Sequence, residues 1–165
     1  MRQDIEGAAA RGDEEMDVMG TCMSVVFRLG DAEDDTALIR SKMGAQPRQV
    51  PLHSHSDVEA FYVLEGSLEV FLDSDRAGWR TIKAGQSLTI PPGVPHAVRN
   101  ASGAPVDSLI ATTVRLARFL GEIATPPGVT PRMPPSAEDI ARVRAKVAEY
   151  GYWMATPGES AALLA

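Results

Sequence analysis

His53-Ser54-His55-Ser56-Asp57-Val58-Glu59 and, further on, Pro91-Pro92-Gly93-Val94-Pro95-His96 decide how this chain is read. The protein has three histidines, and all of them lie in these two segments. His53 and His55 are two positions apart, so on an extended strand both side chains leave the same face. Glu59 has the same parity and faces the same way if the backbone stays extended up to it. His96 has to arrive on another strand. Three imidazoles and one carboxylate are a donor set for a first-row divalent metal; calcium or magnesium would draw a site built from oxygens. A histidine pair on a strand is by itself most often ordinary surface or core. Here both histidine segments also carry glutamate, glycine and proline at metal-site spacing, and that tips the reading toward a metal.

Working outward, Ala60-Phe61-Tyr62-Val63-Leu64-Glu65 is a β-rich run, Gly66 a turn, and Ser67-Leu68-Glu69-Val70-Phe71-Leu72 a second run, which together predict a hairpin. The second segment begins at Gly85, runs through Ser87–Ile90 and reaches His96 after three prolines and a glycine within Pro91–Pro95. Such a turn is tight and stiff, so the histidine after it is held in place before any ligand arrives.

The two spacings resemble those of the cupins, small all-β proteins in which a double-stranded β-helix, or jelly-roll barrel, holds a metal in its mouth. The first cupin motif has two histidines one residue apart, a glutamate after three more, and a glycine after six; His53, His55, Glu59 and Gly66 match it. The glycine that usually stands six positions before the first histidine is Pro47 here. The second motif is matched in full by Gly85, Pro91, Gly93, His96 and Asn100. The resemblance spans residues 36–114 and is nearest to small single-domain cupins related to quercetin dioxygenase. It implies one divalent transition metal per chain on His53, His55, Glu59 and His96. Iron is the first expectation, with manganese, nickel, copper or zinc as alternatives. It also implies that Glu59 doubles as the catalytic base.

Composition sets the outer limits. A chain of 165 residues suggests one domain with a sizeable core. Its 44% hydrophobic and 23% charged residues are ordinary for a globular protein. A net charge of −6 argues against nucleic acid or an anionic membrane as partner. Cys22 is the only cysteine, so no intrachain disulfide is expected. The first residues, Met1-Arg2-Gln3-Asp4-Ile5-Glu6, lack a signal-peptide pattern, and no apolar run is long enough to span a bilayer. The cytoplasm is the default expectation.

The remaining chain divides by composition. Residues 1–17 are polar and acidic, and predict a flexible arm. Residues 18–114 hold many short β-runs between Gly/Pro turns, among them Thr21–Leu29, Ala37–Met43, Trp79–Ile82 and Val106–Val114, and predict a sandwich or small barrel. Gly44–Pro51 reads as a loop leading into the metal segment. Residues 115–165 predict a helical extension packed on the barrel. Arg115–Ile123 looks helical, and Thr125–Pro135, with five prolines, reads as a linker. Ser136 is an N-cap, and Ile140, Val143, Val147 and Tyr150 form a helical apolar stripe ended by Gly151. That stripe, with Tyr152-Trp153-Met154, predicts packing on the barrel or on a partner subunit rather than chemistry.

Function follows from the open coordination expected of four protein ligands on a six-coordinate metal. The expected activity is a dioxygenase-type oxidoreductase acting on a small enolisable or phenolic substrate. The alternatives are a non-redox metal-dependent isomerase, cyclase or lyase, and a non-enzymatic small-ligand or metal-binding protein. By strand parity, Phe61 and Val63 share the face of Glu59, and Val98 and Asn100 that of His96; these four are the candidate substrate pocket. Arg40, Arg48 and Gln49 are candidates for a polar substrate group. Sheet edges and an apolar outer face predict a homodimer.

Overall fold

The computed structural model describes residues 15–73, 78–126, 129–130 and 134–163. Of the expected N-terminal arm, residues 1–14 lie outside that range, while Met16 and Asp17 belong to a strand.

Two antiparallel sheets make the body. The first runs in the order β1 (Met16–Val18), β2 (Thr21–Leu29), β3 (Thr36–Met43), β10 (Val106–Thr113), β5 (Glu59–Glu65), β8 (Ser87–Ile90). The second runs β11 (Trp153–Met154), β4 (Arg48–Ser54), β9 (His96–Asn100), β6 (Ser67–Leu72), β7 (Trp79–Lys83). β3 and β10 alternate buried and half-open residues, the period-2 pattern of a sheet covered on one face. Ile39, Phe61, Val63 and Ile110 from the first sheet meet Leu68, Val70, Ile82 and Val98 from the second in one core. This is a jelly-roll sandwich with helices added at its C-terminal side.

The expected hairpin about Gly66 does not form. β5 pairs with β10 and β8, whereas β6 pairs with β9 and β7. Gly66 is the corner at which the chain leaves one sheet and enters the other. Its φ is +80°, and a Cβ there would lie 2.5 Å from the Pro105 carbonyl oxygen. Both facts call for glycine. Local β-propensity marks the two runs correctly, but pairing is settled by which sheet each run can complete.

Gly44–Pro51 is also not simply a loop, because β4 starts at Arg48 and pairs with β9. Val50 is opposite Val98 and His53 opposite His96, so β4 advances three positions while β9 advances two. The extra residue is a β-bulge at Pro51-Leu52, where proline has no N–H to give the ladder. It changes the strand's phase. Val50 packs against the main core, Leu52 sits in a separate cluster with Ala97 and Ala155, and His53 returns to the inner side.

The C-terminal region folds back over one end of the sandwich. α1 (Val114–Ile123) starts where β10 stops; Thr113 Oγ1 accepts from the Leu116 amide as N-cap. α2 (Ala137–Glu149) opens with the capping box anticipated at Ser136, closed by Asp139. Val143 and Val147 are buried with Leu116, Phe119 and Ile123, while Ile140 stays 41% exposed. The apolar stripe of α2 therefore packs on α1 of the same chain. Burying each valine contributes about 1.5–3 kcal/mol. α3 (Pro157–Leu163) follows β11. At the other end of this layer, the β1–β2 turn is Met19-Gly20, with both φ values positive as a type I′ hairpin requires. Thr125 bonds the Asp17 carbonyl and carboxylate, which ties the end of α1 to β1.

Candidate metal centre

Four side chains meet at one mouth of the sandwich. One ligand atom from each of His53, His55, Glu59 and His96 lies within 4.8 Å of all the others. His53 and His96 come from neighbouring strands of the second sheet and are register partners. Glu59 is the first residue of β5, in the first sheet, paired with Ile90. Shared strand parity is therefore not what unites Glu59 with the histidines, because it approaches from the facing sheet. His55 sits in the connection between the two sheets. The proline turn holds that connection: the Gly93 amide donates to the His55 carbonyl at 2.7 Å.

Each imidazole is oriented by its own backbone. His53 Nδ1 is 2.8 Å from the Pro51 carbonyl, His96 Nδ1 2.8 Å from that of Val94, and His55 Nδ1 3.0 Å from that of Asp57. A carbonyl only accepts, so Nδ1 carries the proton and Nε2 keeps its lone pair. This is the tautomer and orientation that metal-bound histidines require. His55 Nε2 is buried and has no hydrogen-bond partner among the described residues, with Glu59 Oε2 3.5 Å away. His96 Nε2 lies 3.1 Å from the same oxygen. A buried nitrogen left without a partner is costly, and a cation at the centre would satisfy it. The donor set fits a first-row divalent ion.

Electrostatics agree with that chemistry. Burial holds the His53 imidazole neutral, with its pKa lowered to about 3, and His96 adds to the effect. Burial opposes ionisation of Glu59 as well, but His55 and His96 outweigh it and hold the carboxyl below its usual range. Burial likewise opposes protonation of His55, yet Glu59 and Asp57 raise its pKa on balance.

Around the donors lies a layer that sequence reasoning missed. Asp57 is 4% exposed. Its Oδ1 accepts from Thr113 Oγ1 and its Oδ2 from the Tyr152 hydroxyl, both at 2.5 Å. Arg115 Nη1 is 3.7 Å from Oδ2 and donates to Ser56 Oγ, while Nη2 donates to the Tyr150 carbonyl. The Tyr152 ring stands 5.5 Å from that of His55. Burial and then Asp57 push the Tyr152 phenol above its ordinary pKa, so it remains a donor. A carboxylate inside the metal motif thus bolts the C-terminal region to the mouth. The only sequence signal was an Asp between two candidate ligands.

The cavity over the donors is not where strand parity put it. Phe61, Val63 and Val98 are packed in the main core. Asn100 is 1% exposed and donates to the Gly44 and Ala104 carbonyls, pinning two loops. None of the four is among the described residues lining the cavity of about 510 Å³ that opens on His53, His55 and Glu59. Its walls come instead from Met23, Leu116, Phe119, Val143, Tyr152 and Met154, among others. Of the candidate polar contacts, Gln49 lines it, and Arg40 is engaged with Asp107.

A jelly-roll sandwich with a three-histidine, one-glutamate cluster in its mouth is the architecture of a cupin. Residues 41–111, a little under half of the chain, match the family model described as "Cupin domain". Solved structures repeat the fold. KdgF from Halomonas sp. is 18% identical, with a TM-score of 0.51 over 61% of this chain and 84% of its own. An RmlC-like cupin from Shewanella frigidimarina NCIMB 400 is 22% identical, with a TM-score of 0.50 over 68% of this chain and 93% of its own. No curated protein matches the chain. Among the described residues, no helix is long and apolar enough to cross a membrane.

Proposed function

We propose that this protein is a metal-dependent oxidoreductase of dioxygenase type, acting on a small enolisable or phenolic substrate. One divalent transition metal, iron first, would be held by His53, His55, Glu59 and His96. The observation that carries this is the convergence of three Nε2 lone pairs, each set by an Nδ1–carbonyl contact, on one ionised carboxylate. A redox-active ion held there would supply Lewis acidity and an electron route to dioxygen. Glu59 takes the proton of the substrate hydroxyl, because no histidine exists outside the cluster and the Tyr152 proton is committed to Asp57. The apolar walls exclude water from the reacting group.

Elemental analysis beside a His96→Ala variant tests the ligand set. Wild type is expected to carry one equivalent of metal and the variant far less, and equal contents would remove His96. Flavonols, catechols and 1,3-diketones are then offered to the iron, manganese and nickel forms under air and under nitrogen. Consumption only under air is expected. Equal consumption without oxygen would replace the proposal with the lyase or isomerase reading. Glu59→Gln is expected to lose more activity than metal, whereas a parallel loss would leave Glu59 a ligand alone.

A further inference from the structure

At about 510 Å³ the cavity has more room than a small chelating group at the four donors fills. Besides His53, His55 and Glu59, its lining includes Leu120, Ile123 and Ile140 of the C-terminal region. The rest of the lining is mostly aliphatic and aromatic: Met23 on the sheet, Leu116, Phe119 and Leu120 on α1, Val143 on α2. Its polar groups are few. Gln49 and Arg144 are exposed, Thr21 is buried, and the Tyr152 hydroxyl is taken by Asp57. The Ser160 hydroxyl, also in the wall, has no hydrogen-bond partner among the described residues. A site of this volume, apolar and joined to a cluster of polar donors, fits an amphiphile with its head at the donors.

We infer that the substrate is a chelating head group carrying an apolar tail, and that the tail lies along α1 and α2. Leu120 and Ile140 then act as specificity-determining residues that set its length. The inference rests on the metal reading for the head and on the cavity alone for the tail. It also gives the C-terminal helices a function beyond packing: they, rather than the barrel interior, carry substrate selection. Leu120 is half-buried and Ile140 is 41% exposed, so each tolerates a change of size better than the fully buried walls.

The test is a binding series with iron-loaded protein and straight-chain hydroxamates, from acetohydroxamate to decanohydroxamate, by calorimetry. Each added methylene is expected to tighten binding about fourfold, equivalent to ~0.8 kcal/mol of buried CH₂, until the tail fills the cavity and the gain stops. Leu120→Trp and Ile140→Trp, checked for fold by thermal melting, are each expected to stop the gain at a shorter tail. Acetohydroxamate should bind them as it binds wild type. Affinity independent of tail length, as when another segment of the chain fills the space, overturns the inference. So does a tail gain that both tryptophan variants leave intact. If the protein takes up no metal, the metal reading fails, and the tail is read from straight-chain carboxylates by quenching of Trp153 fluorescence. The same increments there uphold the inference and flat affinity overturns it.

Discussion

A side chain at position 57 that could not accept would strand two half-buried hydroxyls, Thr113 and Tyr152, and loosen the Arg115 cation beside them. Tyr152→Phe isolates one arm of this arrangement without opening a cavity. It removes a hydrogen bond to a charged acceptor, and a stability loss of about 1.5–3 kcal/mol is expected, measured as a fall in the urea midpoint at unchanged slope. The Asp57 backbone orients His55, so metal affinity should fall about tenfold, the low end for groups that orient a ligand imidazole. Stability lost with metal affinity intact would make the network a fastener only. At this scale the donors were legible in the sequence, because two histidines, a glutamate and a histidine after a proline turn are local patterns. Asp57 and Tyr152 were not. Their partnership joins positions far apart in the chain, and no spacing rule reports it.

Among the elements, α2 carries the most consequence for the cavity, since Val143 and Val147 fix one wall. Its start depends on the Ser136–Asp139 box. Ser136→Ala should cost about 1 kcal/mol and lower Tm by roughly 2–4 °C, with metal content unchanged; a loss of metal would mean that α2 holds the donors directly. The Ser136 cap, the α1 and α2 segments and most strands could be read from residues alone, because caps and alternation are written locally. Two features could not. Gly66 looked like a hairpin turn because a corner between sheets and a hairpin use the same residue for the same backbone reason. The bulge at Pro51-Leu52 inverted the phase of β4 midway, and a phase carried along a strand by counting residues fails where one is extra. The pocket residues were chosen by the same counting. It put Phe61, Val63 and Val98 on the inner face, where they fill the core, but the open volume lies over the barrel mouth.

On the scale of the whole molecule, apolar side chains remain on the outside of the first sheet's strands. Phe27 and Leu29 on β2 are 37% and 64% exposed, and Tyr62 and Leu64 on β5 are 44% and 42% exposed. A second copy would cover them, so a homodimer is expected by light scattering at micromolar concentration; a monomer mass there would refute it. α2's buried face takes no part, because it is spent on α1.

The pairing of β11 with β4 has a temporal consequence. Trp153 and Met154 complete the ladder beside Ser54 and His53, so in a growing chain the strand that carries His53 is finished long before its last neighbour has been synthesised. Until then one side of β4 presents open N–H and C=O groups, the template on which chains mispair. Loop-closure entropy makes so distant a contact slow to form. The emerging protein therefore passes through an interval in which His53, His55, Glu59 and His96 have been made while the last strand and helices that cover them have not.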